Sequence, residues 1–571
     1  MNEPQTRIYE FGEFRLDAVK RLLLQGEEIV PLMPKAFDTL LYLVRNGGRV
    51  IDKDELMREV WTDTIVEENN LSQNISILRR VLGEKKSEHR FIVTVPGKGF
   101  KFVAEVRAVS ESASDAPIKT IAVLPFKPLV AENRNEALEL GMADTLIAKL
   151  GGEEIVVRPF SAVRHYASVG QEDCLLAARQ LGVQAVLEGT IQTAADRIRV
   201  SARLVCGDAG KQLWAGQFDE KFGDIFAVQD LISERVAAAL HIRLTGEDKT
   251  RSTENVEAYQ FYVKGRVHTE MLLLPELRKA IGYFERAIAL DPNYALAYVG
   301  LAEACLRLSL VNNVPAFEAM LQAKAAALRA TEIAPRNADT FSTLAWIVFW
   351  YDRDWQAAER YCLRGIKLNP NNSFVRMVHA HLLSNTGRHA EALSEIRRAR
   401  ELDPTSIFNQ AIEGQILLFA GKTNEALDTL KILTEAIPNF WLGYLFISRV
   451  YNEKQMHAEA VAALAKAGEL FPANKESTAL RGYSLAKWGK LTQARAVLDE
   501  LRQFSNREYV APYNLAMIHN ALGESRTALD YLEKAFAEKN VLMVFLKVEP
   551  KWNNLRNEPR FIDLMRRMNF E

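Results

Sequence analysis

Ala358, Ala392, Ala426, Ala460, Ala494 and Ala528 follow one another at intervals of 34 residues. Pro370, Pro404, Pro438 and Pro472 keep the same period, and so do the pairs Gly387/Gly421 and Gly489/Gly523. Each residue type has a physical role in that register. Glycine permits a tight turn between antiparallel helices, alanine lets the two helices approach, and proline ends the second one. Three residue types in phase over so long a stretch constrain the chain to a stack of helical hairpins, each packed on its neighbours. Less regular units precede them, with Ala280 twelve residues before Pro292 and Ala323 twelve before Pro335. From residue 255 onward the expected fold is therefore an all-α solenoid.

Units such as "GRHAEALSEIRRARELDP", residues 387–404, resemble tetratricopeptide repeats (TPR). About eight of them are expected over 255–540, followed by a terminal helical segment at 541–571. The resemblance implies a groove for a protein or peptide partner. Trp346, Trp350, Trp441 and Trp488 occur at helical spacing, where such rings belong to a core more often than to a binding groove. The effector surface stays unassigned at this stage.

The other end of the chain differs in charge. The whole protein has a formal net charge of -1, so a nucleic-acid surface would have to be local. Between Leu71 and Phe102 stand seven Lys or Arg against Glu84 and Glu88. Short strand-like runs fill residues 8–31. A helix is expected from Pro34, with Phe37, Leu40, Leu41 and Val44 inward and Gly47-Gly48 as its stop, and a second from Asp52 to Trp61, where Asp52 caps and Glu55 reciprocates. In a third helix, starting near Glu67, Leu71, Ile75, Leu78 and Leu82 form one apolar stripe, and Asn69, Gln73, Ser76, Ile77 and Arg80 fall opposite. "RFIVTV" and "GFKFVAEV", joined by "PGKG", read as a β-hairpin. Sheet, three helices and hairpin make an α+β winged helix-turn-helix over residues 1–106.

On such a scaffold Gln73, with Asn70 or Asn74, can hydrogen-bond base edges in a major groove, and Ile77 can meet a thymine methyl. Arg79, Arg80, Lys85, Lys86 and Arg90 suit phosphates, with Lys98 and Lys101 on the hairpin. Residues 7–106 resemble the DNA-binding domain of OmpR/PhoB-type regulators, and "TVPGKGFKF" is similar to that family's Thr-Val-Arg-Gly-x-Gly-Tyr-Arg-Phe wing. The resemblance implies that Asn74, Ile77 and Arg80 lie on the groove-facing side, Arg79 near the backbone and Lys98 in the wing. Pro96 departs from the pattern, where the family often has a basic residue.

Between the two ends, "RAVSESASDAP" at 107–117 reads as a linker. Strand and helix then alternate across 118–245, as an α/β layer domain requires. Its segments "IAVLPF", "LGVQAVLEGTIQTAADRIRVSARLV" and "LWAGQFDEKFGDIFAVQDLI" resemble the TolB-like domain of CadC/HilA-like and cyclase-associated TPR proteins. That resemblance implies a sensory or assembly role and no settled chemistry.

Motifs for catalysis fail on inspection. "GKT" at Gly421–Thr423 lacks the glycine five residues earlier that a phosphate loop needs, since position 416 is Ile. His379 and His381 are two apart on a helix and diverge, which argues against a metal site with His389. Ser161 with His165, or Cys174 with a distant His, carries no nucleophile motif. The four cysteines lack C-x-x-C spacing, no secretory signal is evident, and "LAWIVFWY" is too short to span a bilayer. Only six residues precede the winged helix, so no receiver domain is expected. The sequence thus reads as a soluble, cytoplasmic, DNA-binding transcriptional regulator, without enzyme activity, metal, cofactor or membrane contact. Its expected partners are double-stranded DNA and a protein or peptide in the repeat groove, with pairing into a homodimer on DNA left open. The rival reading is a TPR scaffold whose winged helix binds protein.

Overall fold

The computed structural model describes residues 8–570 except 19–20, 27, 31, 61–67, 85–87, 110–116, 130–134, 153, 168–172, 195, 208–209, 243–252, 270–272 and 311–315. Two compact units divide between Ala116 and Pro117. Among the described residues no helix is long and apolar enough to cross a membrane, and no group of three or more His, Cys, Asp or Glu could hold a metal ion.

In the first unit, strands β1 (Ile8–Phe11), β2 (Phe14–Asp17), β3 (Leu22–Gln25) and β4 (Glu28–Val30) form an antiparallel meander. Helix α1 (Pro34–Arg45), strand β5 (Val50–Ile51), helices α2 (Lys53–Val60) and α3 (Glu68–Val81), and strands β6 (Ile92–Val95), β7 (Gly99–Phe102) and β8 (Arg107–Val109) follow. The sheet orders are β4-β3-β2-β1-β8 and β5-β7-β6. β8 pairs antiparallel with β1, Ile8 opposite Val109. The stretch expected to be linker from residue 107 therefore begins as a strand, because the open edge of β1 offers its hydrogen bonds to it. Residues 110–116 lie outside the described residues.

Pro34 occupies the first turn of α1, where no backbone N–H is needed. Phe37, Leu40 and Val44 are buried as expected, and Leu43 joins them while Leu41 is only half-buried. At α2, Asp52 accepts from the backbone N–H of Asp54 at 2.9 Å. Glu55 does not complete a capping box. Its carboxylate takes the Tyr42 hydroxyl at 2.9 Å and the Arg49 guanidinium, tying α2 to α1 and to the residue before β5. Phe11, Phe14, Phe91 and Phe102 pack edge-on at the centre, with Phe11 and Phe102 ring centroids 5.0 Å apart. Each such ring, fully buried, contributes about 1.5–3 kcal/mol.

The second unit opens with a mixed sheet. Strands β9 (Thr120–Val123), β10 (Lys127–Pro128), β11 (Val156–Val157), β12 (Ala185–Ala194), β13 (Arg197–Cys206) and β14 (Gln212–Lys221) take the order β11-β9-β12-β13-β14, with β10 beside β12. Pairing is parallel around β9 and antiparallel from β12 to β14. On β9 the two faces alternate: Ile121 and Val123 belong to the core shared with helices α4 (Glu136–Leu150) and α7 (Ile225–Leu240), while Ala122 belongs to a second one with Ala177 and Leu181 of helix α6 (Cys174–Leu181). Helices on both faces fit the expected α/β layering.

Among the described residues, sixteen helices from α8 (Val256–Thr269) to α23 (Ser525–Ala537) form eight hairpins. Gly387, Gly421, Gly489 and Gly523 turn each hairpin with φ between +75° and +93°. The same register position holds Arg353 and Gln455 in two other repeats, at φ +59° and +60°. The turn demands a left-handed residue whether or not glycine is present, which is why the glycine period has gaps. Arg353 has a reason to remain. It is 5% exposed, and its guanidinium donates to the Asn540 carbonyl at 2.9 Å and reaches the Met568 sulfur at 3.1 Å.

The terminal segment comprises 3-10 turns Val541–Phe545 and Pro550–Leu555 and helix α24 (Pro559–Arg567). It folds back onto earlier repeats. Trp355 stacks on Phe570 at 4.7 Å, and Phe545 packs against Trp350, His381 and Phe419. Glu549, 2% exposed, is held by Lys551, by the Tyr513 hydroxyl at 2.6 Å and by Arg449 at 3.5 Å. The sheet domain and solenoid also join in one body. Arg158, 3% exposed, donates to the carbonyls of Leu181 and Gly182 on the sheet side and of Leu402 at 2.6 Å on the solenoid side. Carbonyls at a helix C-terminus carry partial negative charge, so a guanidinium suits them.

Candidate nucleic-acid interface

The apolar stripe of α3 fixes what the helix can present. Leu71, Ile75, Leu78 and Leu82 are no more than 2% exposed and sit in the core of the first unit. At 100° per residue the opposite side runs through Gln73, Ser76 and Arg80, and all three are exposed. Asn74 is half-buried. Ile77 is half-buried as well and leans on the core, so it is less available to a thymine methyl than expected. The side chains of Asn69 and Asn70, and residues Lys85 and Lys86, lie outside the described residues.

The wing is built by β6, β7 and the turn between them. Val95 pairs with Gly99, and the Lys98 N–H donates to the Val95 carbonyl at 3.0 Å, leaving the Lys98 side chain exposed. Gly99 is required by close approach: a Cβ there would stand 2.0 Å from the Ile51 carbonyl oxygen, where β7 meets β5. Pro96 is exposed in the turn, and Lys101 is half-buried between Val93 and Val50.

Two side chains at the end of α3 set the helix against the wing. Glu84 is 7% exposed, and its two carboxylate oxygens accept from the N–H groups of Phe91 at 3.2 Å and Ile92 at 3.3 Å. Its own N–H donates to the Arg79 carbonyl at 2.8 Å, closing the helix after Gly83. Arg79 completes the clamp, donating to the Ile92 carbonyl at 3.0 Å and the Thr94 hydroxyl at 2.8 Å. Expected as a phosphate ligand, its guanidinium is instead engaged by the wing. Arg90 is exposed, stacked on Phe91 at 4.9 Å and 3.6 Å from Glu13. Sequence reasoning missed the role of Glu84. The available signal was an acidic residue directly after the helix-ending glycine in an otherwise basic segment.

The result is a rigid frame with a polar stripe, Gln73–Ser76–Arg80, beside a hairpin tip carrying Lys98. Such a frame sets exposed donors and acceptors on one helix face with an exposed cation at the neighbouring hairpin tip.

The family described as "Transcriptional regulatory protein, C terminal" matches residues 26–102. Transcriptional regulator HilA of Salmonella typhi is 25% identical over 408 residues, 70% of this chain and 71% of its own length. Transcriptional activator CadC of Escherichia coli is 29% identical over 117 residues, 20% of this chain and 22% of its own. A protein named putative adenylate cyclase 3 of Rhizobium meliloti is 32% identical over 202 residues, 34% of each chain. The chain thus carries an OmpR/PhoB-type winged-helix domain ahead of a mixed-sheet domain and a TPR-like solenoid, the make-up of a winged-helix transcriptional regulator.

Proposed function

We propose that the protein is a sequence-specific DNA-binding transcriptional regulator in which α3 reads the major groove and the wing holds the adjacent backbone. The observation that carries this reading is the exposed Gln73–Ser76–Arg80 stripe, clamped beside Lys98 by Glu84 and Arg79. The similarity to the transcriptional regulator HilA and the transcriptional activator CadC supports it. In this reading the sheet domain and solenoid take up the controlling signal, without catalysis, in the cytoplasm. A protein or peptide partner on the repeats and pairing of two copies on DNA belong to the same proposal.

Selection of bound duplexes from a random pool tests it. The chain should recover a defined operator. Gln73→Ala and Arg80→Ala should each cost about 1–3 kcal/mol at that operator and relax base choice, because bidentate base contacts are lost. Lys98→Ala should weaken every sequence alike. Helix variants that bind all sequences as the parent does would refute the assignment of α3.

A further inference from the structure

A cavity of about 740 Å3 runs through the second unit. First helices of consecutive hairpins form its walls, with α4 of the sheet domain on one side and Phe545 of the terminal segment on another. The volume falls in the range of small-molecule sites, and such sites favour boundaries between domains.

The walls are aromatic, with Trp346, Trp350, Phe408 and Phe446 among them. They also contain polar groups that the protein leaves unmatched. The indole N–H groups of Trp346 and Trp350 have no hydrogen-bond partner, whereas Gln415 and His381 interact with each other. The two tryptophans are 8 and 5% exposed. Buried donors are nearly always satisfied, so two such indoles in one cavity wall call for a partner from outside the chain. Trp350 sits on a π-helical turn, Val348–Asp352, that interrupts the helix of its repeat. Turns of that kind recur where a helix has been reshaped for a site.

Charge defines the class of ligand. Basic and acidic side chains line the cavity in equal number, five of each, and among them Arg266 pairs with Asp144, Arg307 with Glu303 and Arg449 with Glu476. Burial also holds His381 neutral, its pKa pushed down to about 4. No net charge is offered to an ion. An extended peptide is disfavoured too, because Phe545 stands 5.5 Å from the Trp350 ring and 5.6 Å from His381, across the face along which such a peptide would lie.

We propose that this cavity binds an uncharged, planar aromatic small molecule that carries hydrogen-bond acceptors for the two indole N–H groups. Its role as an effector site rests on the regulator reading, whereas binding itself does not. The probe is 6-propionyl-2-(dimethylamino)naphthalene, an uncharged aromatic ketone whose emission shifts to the blue in apolar surroundings. Titrated into the full chain, it should bind saturably at one site and quench tryptophan emission by energy transfer. Trp350→Phe keeps the ring and removes the N–H, and should weaken binding about fivefold, the worth of one hydrogen bond. Ile412→Trp projects a larger side chain from the cavity wall and should abolish binding. Circular dichroism confirms that each variant is folded, and if Ile412→Trp fails to fold, Trp350→Phe decides alone. Non-saturable binding, or unchanged affinity in a folded variant, overturns the proposal. So does saturable binding of a fluorescein-labelled random decapeptide pool with none of the ketone, which would assign the face to peptide. The readout involves no DNA, so its failure is distinct from failure of operator binding.

Discussion

Glu84→Ala should loosen the wing from α3. In the native unit the carboxylate, 7% exposed, accepts from two backbone N–H groups, at 3.2 and 3.3 Å. A hydrogen bond to a charged group contributes about 1.5–3 kcal/mol, and long ones belong at the lower end. Truncation strands both donors at the edge of the core, so the expected loss is about 3 kcal/mol. Small domains have only about 5–15 kcal/mol to lose. Urea unfolding of residues 1–116 with a slope near 1.5 kcal/mol/M would show the midpoint falling by about 2 M. Glu84→Gln retains one carboxamide acceptor and should lose about half as much. Because the clamp also sets Lys98 relative to Gln73, DNA affinity should fall in the same order. A midpoint for Glu84→Ala within 0.3 M of the parent would refute the reasoning, about 0.5 kcal/mol on that slope.

Other outcomes follow from the solenoid. Gln455→Gly should stabilise the chain by about 0.5 kcal/mol, because an exposed residue at φ +60° is relieved. Arg353→Gly relieves the same strain but loses the hold on Asn540 and Met568, so it should destabilise by about 1–2 kcal/mol, with proteolysis starting near 541–570. Differential scanning calorimetry and limited trypsin digestion check both. Acid should weaken the second unit through His381, whose folded pKa lies near 4 against an ordinary value of about 6.5. The unfolded chain takes up that proton first, so stability is present above pH 6.5 and is lost as pH falls toward 4, by up to about 3 kcal/mol. His381→Phe should flatten that limb of a plot of urea midpoint against pH.

Much of this architecture is legible in the sequence because each feature rests on a local requirement. The 34-residue phase of Ala, Gly and Pro follows from hairpin geometry, and the Leu71–Ile75–Leu78–Leu82 stripe follows from helical pitch. What the sequence hides is long-range. Arg353 reads as a break in the glycine period, and only its reach to residues 540 and 568 explains it. Arg158 reads as one more surface cation until it is seen buried against carbonyls 23 and 244 residues away. The same holds at the interface. Pitch alone separates Gln73, Ser76 and Arg80 from the core, but it cannot show that Arg79 turns toward Thr94, or that Ile77 leans inward. Trp346 and Trp350 belong to a cavity wall because a π-turn and the returning terminal segment bring rings together from distant repeats.

The central claim is that the basic segment of the first unit meets the phosphates of a duplex. Its most direct test is fluorescence anisotropy of residues 1–116 on a labelled operator duplex across a salt series. With Arg79 engaged by the wing and Arg90 near Glu13, five cations remain for phosphate: Arg80, Lys85, Lys86, Lys98 and Lys101. Each contact contributes about -0.9, so log affinity against log salt should fall with a slope of about -4.5, and Lys98→Ala should reduce its magnitude by about one. A slope near zero, or no binding at low salt, would contradict the DNA-binding account.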